Sequence, residues 1–371
     1  MIPFLSLKDQ TAGLRDEVLA ALGGVIDTQG FANGPSVAKF ERELAAYLDC
    51  REVVCVNSGT TSVQAALICA GVGAGDEVVT VSHTWISTAW AISYVGARPV
   101  FVDVDRATSG MNPAKVEAAL TPKTKAILPV HLYGQPVDLD PIFEIARRRG
   151  IPVIEDAAQS IGAKFKGRQT GTLGTINATS FYPGKNLGAF GEGGAVMTDD
   201  AALADRARRL RDHAQQGRHN HVELGFNWRM DGFQGAVLSV KLPRLDEWNA
   251  RRREIAGRYQ DGLKGAPGLS LLPPNGWSEP IWHVFPVFHA RRDEFRTRLE
   301  ALGVQSGVHY PRPVHLQPAY AWVGHKAGDF PITEELAATE ISLPMFPELS
   351  DPDVDRVIDA VGTVCRDLRV G

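Results

Sequence analysis

Cysteine is scarce in this chain: four among 371 residues, Cys50, Cys55, Cys69 and Cys365. No two form a C-x-x-C pair, and no histidines stand beside them at metal-ligand spacing. That excludes a disulfide scaffold and a zinc cluster and leaves reduced, mostly buried thiols. No run of about 18 apolar residues occurs, so no helix is expected to span a bilayer. The first residues, Met1-Ile2-Pro3-Phe4-Leu5-Ser6-Leu7-Lys8, lack the charged start and long apolar stretch of a secretory signal. Charge of one sign is also missing. With 39 basic and 43 acidic residues the net charge is −4, which gives no electrostatic footprint for nucleic acid. Two nucleotide motifs fail as well. Gly71-Val72-Gly73-Ala74-Gly75-Asp76 ends on aspartate where a dinucleotide fingerprint needs its third glycine, and it precedes a strand instead of following one. No G-x-x-x-x-G-K-[ST] loop exists. The expectation is a cytoplasmic enzyme of two domains, with no metal, nucleic acid or membrane partner.

What is present is an alternating rhythm. Apolar runs of strand type recur at Val53–Val56, Glu77–Val81, Pro99–Val104, Ala126–Leu132 and Ile151–Glu155. Between them lie helical patterns at Val37–Leu48, Thr60–Ala70, Trp85–Val95, Asn112–Leu120 and a stretch opening on Asp140-Pro141, with proline expected at its first position. Arg147-Arg148-Arg149-Gly150 closes that last helix with cations and a glycine. This alternation predicts an α/β fold: a large, mixed, mostly parallel sheet with helices on both faces. After about residue 240 the rhythm changes. A charged helix over Leu245–Lys264, the Pro/Gly cluster Ala266–Gly276, strands at Trp282–Phe288 and Val304–His309, a helix at Arg291–Leu302 and a final helix after Ser350 predict a smaller α+β domain. The expected division is 1–240 and 241–371.

Ligands of open α/β sheets bind at the carboxyl ends of strands. Asn57-Ser58-Gly59-Thr60-Thr61-Ser62 lies there and reads two ways: a phosphate cradle at a helix N-terminus, or an ordinary N-cap with a tight turn. Asp156, in Glu155-Asp156-Ala157-Ala158-Gln159, is either a helix cap or an acid for a cationic ring nitrogen, with Gln159 beside it to bond a phenolic oxygen. Lys185 stands in the Gly/Pro-rich stretch Ser180-Phe181-Tyr182-Pro183-Gly184-Lys185-Asn186-Leu187-Gly188. It is an exposed loop lysine, or a desolvated amine able to form a Schiff base. Trp85 packs in the core or stacks on a ring. Cradle, acid, phenol partner, the Ser180 hydroxyl and the lysine are together what pyridoxal 5'-phosphate requires.

These blocks, with Gly30-Phe31-Ala32-Asn33-Gly34-Pro35, Pro129-Val130-His131-Leu132-Tyr133-Gly134, Gly225-Phe226-Asn227-Trp228-Arg229-Met230-Asp231 and His309-Tyr310-Pro311 through Pro318, stand in an order that resembles the DegT/StrS-type nucleotide-sugar aminotransferases. Those are pyridoxal-phosphate enzymes of the aspartate-aminotransferase fold, fold type I. The resemblance implies that Lys185 carries the internal aldimine and shuttles the proton. It implies Asp156 on the pyridinium nitrogen, Gln159 on the ring hydroxyl, Trp85 stacked on the ring, and Gly59, Thr60, Thr61 and Ser180 on the phosphate. It places Asn227 on the phosphate of a neighbouring subunit's cofactor, which implies a homodimer with shared sites. Tyr182, His309, Tyr310 and His315 fall to the sugar pocket, where for the histidines a structural role is an equal alternative. Tyr182-Pro183 and Lys185-Asn186-Leu187-Gly188 are similar to the branch acting on 3-keto sugars, so the implied reaction moves the amino group of L-glutamate to a dTDP- or UDP-linked 3-keto deoxysugar by a ping-pong route. A C4 nucleotide-sugar or cyclitol (scyllo-inosose) aminotransferase is one alternative. A non-catalytic regulatory or binding protein of the same fold is another. The polar segment Asp212–Glu223 reads either as a mobile loop receiving the donor carboxylate or as a solvated surface.

Overall fold

The computed structural model describes residues 1–273 and 275–369. Pro274 of the Pro/Gly cluster, and residues 370–371 at the end of the expected second domain, lie outside the described residues.

Three parallel strands form one half of the main sheet: Arg98–Val102, Glu77–Val81 and Thr124–Ile127, with Glu77–Val81 in the middle. The other half is Asn177–Ser180, Gly194–Thr198 and Glu52–Val56, with Gly194–Thr198 antiparallel to both neighbours. The expected strand Ile151–Glu155 joins the halves as an extended segment held by parallel bridges. Val153 pairs with Ile127, and Asp156 pairs with Val130 on one side and Ala178 on the other. The sheet is therefore mostly parallel. Strands 78–81, 177–180 and 194–198 are buried at every residue. Side chains alternate between faces, so both faces are covered.

The parallel strands all end on one edge. Leaving that edge are Asn57-Ser58-Gly59 after the first strand, Ser82 to Trp85 after the second, His131, Asp156 and Ser180. Gly194, the start of the antiparallel strand, pairs with Val56 and Ser180 at this same edge. Glycine is required there. A Cβ on Gly194 would meet the Ser58 carbonyl oxygen at 2.4 Å.

A second sheet orders Glu340–Leu343, Phe285–His289 and Leu269–Leu271, all antiparallel. Helices Leu245–Leu263, Arg292–Ala301 and Asp351–Arg369 accompany it. Its core joins Tyr259, Phe285, Phe295, Val357 and Leu343 with Ile2 from the far end of the chain. Several expectations shift in detail. The helix over residues 85–95 starts at Ser87, which leaves Trp85 in the preceding turn. Pro141 is the third residue of the helix Leu139–Arg149, not the first, because the chain turns helical already after Asp138. Val304–His309 forms no continuous strand. Val304 bridges to Ile2 and Gly307 to Ser342, the residues between them pair with no strand, and the chain bends at His309. Two helices without strong periodicity, Lys8–Thr28 and Gly232–Lys241, pack on each other through Leu14, Val18 and Val237.

Candidate active site

The site grows from the shared strand edge. Helix Gly59–Cys69 begins there. The Ser58 side chain caps it by accepting from the Thr61 N–H at 3.1 Å. The first N–H groups of a helix have no intrahelical partner. Those of Gly59 and Thr60 bond nothing among the described residues. They lie against Ser180: a Cβ on Gly59 would meet Ser180 Cβ at 2.5 Å and Oγ at 2.7 Å. Backbone donors, a helix dipole and two hydroxyls thus share a cradle with no room for a larger residue. The Thr60 hydroxyl donates to Ser87 Oγ at 2.9 Å, which ties the cradle to the next helix.

Asp156 is buried at the end of its segment. Thr88 Oγ1 donates to its Oδ2 at 2.8 Å and the Ala158 N–H to its Oδ1 at 3.1 Å. Burial raises its pKa against these two donors and the nearby Lys185 charge. Lys185 has the mirror-image environment. The residue is half-buried, and desolvation lowers its pKa to about 8 despite the pull of Asp156. Its own N–H bonds the Tyr182 carbonyl at 2.8 Å, closing the turn that presents it. Lys185 is half-buried, which departs from the reading of a fully exposed loop lysine.

Gln159 is oriented by its carbonyl end: Oε1 accepts from the Tyr133 N–H at 2.7 Å, while Nε2 donates to the Tyr310 hydroxyl at 3.2 Å. Tyr133 is fully buried with φ of 63°, a strained value for a bulky side chain. Its hydroxyl donates to the His309 carbonyl at 2.8 Å, so the bond at 3.0 Å to His83 must come from the histidine Nε2–H. Trp85 lies 5.1 Å from Tyr310, ring to ring, and is 53 % exposed. That exposure contradicts the core reading.

The remaining expected residues divide. His309 and Tyr310 join this cluster. Tyr182 is exposed beside Gly184. Asn227 is exposed, with its backbone carbonyl near the Asn57 amide at 3.5 Å. His315 is almost completely buried. Its Nδ1 bonds Ser82 Oγ at 2.7 Å, its Nε2 bonds Glu334 at 3.1 Å, and its ring packs on Phe330. Both nitrogens are occupied, so the structural alternative describes His315. In the Asp212–Glu223 segment, His221 bonds the His213 carbonyl at 2.8 Å. Among the described residues no group of three or more His, Cys, Asp or Glu is placed to hold a metal ion. Among the described residues no helix is long and apolar enough to cross a membrane.

Sequence reading missed Thr88, Tyr133 as a hub, and His283. The His283 ring bonds Asn186 Oδ1 at 3.3 Å, and its N–H bonds the Tyr133 carbonyl at 2.9 Å. The only signal for it was one polar residue in the apolar run Trp282–Phe288.

The geometry fits pyridoxal phosphate: a desolvated amine, a buried acid with unused acceptor capacity, and a tight anion cradle. Residues 13–362 match the model of the DegT/DnrJ/EryC1/StrS aminotransferase family. The chain belongs to that family. Like its other members it is a pyridoxal-phosphate-dependent aminotransferase of fold type I. A dTDP-3-amino-3,4,6-trideoxy-alpha-D-glucose transaminase from Streptomyces venezuelae is 46 % identical, over 97 % of this chain and 95 % of that protein. The erythromycin biosynthesis sensory transduction protein EryC1 from Saccharopolyspora erythraea is also 46 % identical, over 96 % and 98 %. The crystal structure of S. venezuelae DesV with a ketimine intermediate superposes with a TM-score of 0.96 at 45 % identity, covering 98 % of each chain.

Proposed function

We propose that this enzyme transfers the amino group of L-glutamate to C3 of a nucleotide-linked 3-keto deoxysugar, dTDP-linked or UDP-linked, in two half-reactions. The observation that carries the chemistry is the desolvated Lys185 amine, close enough to buried Asp156 for each charge to act on the other. The near-complete match to a dTDP-3-amino-sugar transaminase supports the substrate class and the C3 position. When bound, pyridoxal phosphate supplies an electron sink for the bond broken at the amino-bearing carbon.

The chain's residues do the rest. Lys185 Nζ anchors the cofactor, and its depressed basicity lets it take and return a proton near neutral pH. Asp156 holds the proton on the ring nitrogen, and Thr88 and Ala158 fix its orientation. Gln159 has a second Nε2–H to give the ring hydroxyl. Trp85 covers one ring face. Gly59, Thr60, Thr61 and Ser180 hold the phosphate. Tyr182, His309 and Tyr310 line the sugar side, and His315 braces the turn at Ser82. We further propose a homodimer in which Asn227 reaches the partner's cofactor phosphate, since its exposed amide has no hydrogen-bond partner among the described residues. We also propose the division into a large domain, 1–240, and a small domain, 241–371, with Ile2 from the chain start packing into the core of the latter.

The test is a near-visible spectrum of the purified protein, before and after L-glutamate, followed by a panel of dTDP- and UDP-linked 3-keto and 4-keto sugars. A yellow band that glutamate bleaches, with amination of a 3-keto sugar, is expected. Amination only at C4 or of an inosose overturns the position. No band after incubation with the cofactor would favour the regulatory reading that EryC1's name suggests.

A further inference from the structure

Glu340 opens the strand Glu340–Leu343 and is wholly buried, yet no lysine or arginine bonds it among the described residues. Arg292 and Arg296 act on it from a distance, and each is committed elsewhere. Arg292 Nη1 donates to the Ala337 carbonyl at 2.6 Å, and Arg296 bonds the carbonyl and hydroxyl of Ser306. The partners of Glu340 are the His309 backbone N–H, donating to Oε2 at 2.6 Å, and the Ser342 hydroxyl, donating to Oε1. The same Ser342 oxygen lies 2.8 Å from His309 Nδ1. A serine hydroxyl has one proton. With that proton given to the carboxylate, Ser342 Oγ can only accept, so His309 Nδ1 must carry the hydrogen. Burial and the Lys185 charge lower the His309 pKa to about 4, which keeps the ring neutral. Nε2 then carries a lone pair, and among the described residues it has no hydrogen-bond partner. The ring stands against Tyr310, and Tyr133 grips its carbonyl, so it belongs to the Gln159–Tyr310 cluster.

We propose that Glu340 is a positioning residue: through Ser342 it holds His309 in the Nδ1–H tautomer and so keeps Nε2 as the acceptor for a hydroxyl group of the sugar. The sugar half of this statement rests on the substrate reading above; the tautomer half does not. Protonation reverses the relay. The Glu340 O–H then donates to Ser342, Ser342 donates to Nδ1, and the ring proton moves to Nε2 by exchange with solvent, with one proton taken up overall. Burial lifts Glu340 to about 7, against Arg292, Arg296, Ser342 and the His309 N–H, so the reversal falls near neutrality. Tyr133 and Tyr310 also face it, and its charge raises both their pKa values.

The experiment is long-range proton–nitrogen NMR of the holoenzyme with labelled histidine, with His309 assigned from His309→Gln. Wild type should show Nδ1–H at pH 8.5 and Nε2–H at pH 5.5. Glu340→Gln should show Nε2–H at both, because its carboxamide donates to Ser342 as the protonated acid does. Its KM for the keto-sugar nucleotide should rise about tenfold, as expected for one lost hydrogen bond, with a smaller effect on glutamate bleaching. If that variant does not fold, wild type and Ser342→Ala decide the matter, since Ser342→Ala cuts the relay and should remove the pH dependence of the tautomer. An Nδ1–H tautomer retained in Glu340→Gln, or a wild-type tautomer unchanged between the two pH values, overturns the proposal. A flipped tautomer with unchanged KM overturns the acceptor role. A wild type that aminates no nucleotide keto sugar overturns the substrate reading alone, because the NMR result needs no substrate.

Discussion

Glu155 and Asp156 are adjacent acids in one segment, both buried, and the fold treats them in opposite ways. Glu155 points to the side away from the site. It accepts from His131 Nε2 at 2.9 Å and from the N–H groups of Gly171, Leu173 and Gly174 at 2.6 to 2.9 Å. His131 Nδ1 accepts from the Val137 N–H, so its other nitrogen must be the donor. Those donors outweigh burial, and the Glu155 pKa is lowered. Asp156 has half as many donors, burial wins, and its pKa is raised. A saturated carboxylate is a structural brace. An unsaturated one has acceptor capacity in reserve for a ligand.

The largest expected effect tests the reserved side through its other member. Lys185→Ala should lose at least about 10³-fold in transamination, because a positioned general acid–base and the cofactor anchor vanish together. Borohydride should fix no cofactor to this variant, as judged by mass spectrometry. Retained covalent cofactor would show that another lysine serves.

The two acids themselves come next. Glu155→Gln places an amide among four donors and should destabilise the apoprotein by about 3–5 kcal/mol, as breaking a buried charged network does. A group with a lowered folded pKa stabilises above its unfolded pKa. The penalty should therefore be full at pH 7 and shrink below about pH 4. Asp156→Asn should do the reverse. It relieves an ionised carboxylate that burial disfavours, so the apoprotein should be at least as stable at pH 7, with any gain fading below about pH 4. Activity should fall about 10²–10³-fold, the scale for removing one preorganised electrostatic group. Urea unfolding of both apoproteins decides it; equal destabilisation would erase the distinction between brace and reserve.

This contrast marks how far the sequence could be read. The strands that end at the site edge, Asp156, Lys185 and the Gly59 turn were legible, because each is a local pattern: an apolar run, cap chemistry, a glycine among small hydroxyl residues at a helix start. What the sequence left open is set by contacts distant in the chain. Tyr133 joins residues 83, 159 and 309, and Glu340 reaches His309 from 31 positions away. For His315 the sequence left sugar contact and a structural role equally open, because its partners, Ser82 and Glu334, lie on separate elements. Gly232–Lys241 escaped notice because it is buried along much of its surface and so lacks a polar stripe.

A smaller effect concerns pH. Lys185 falls to about 8 in the fold from 10.5 in the unfolded chain. Between those values the unfolded state binds the extra proton, so apoprotein stability should gain from this site as pH rises from about 8 to 10.5. Lys185→Met should accordingly be more stable than wild type at pH 7, with the difference closing above pH 10.5. A difference constant in pH would mean that packing of the methionine, and not the amine's desolvation, produces it.

The smallest effect probes the margin between the two acids. Thr88→Val removes the 2.8 Å donor from Asp156 but keeps the side-chain volume, leaving the Ala158 N–H alone on the carboxylate. A hydrogen bond to a charged acceptor contributes about 1.5–3 kcal/mol. Thr88, however, also bonds Thr84 at 2.9 Å, and the two hydroxyls lose each other in the exchange. The net outcome should be a loss of cofactor affinity of about tenfold, with apoprotein stability nearly unchanged, because Asp156 escapes the lost bond by taking up a proton that its raised pKa already invites. Glu155 has no such escape, since its lowered pKa opposes protonation. If Thr88→Val instead unfolded the apoprotein as Glu155→Gln is expected to, Asp156 would be a brace like its neighbour, and the capacity held for the cofactor would have to lie elsewhere.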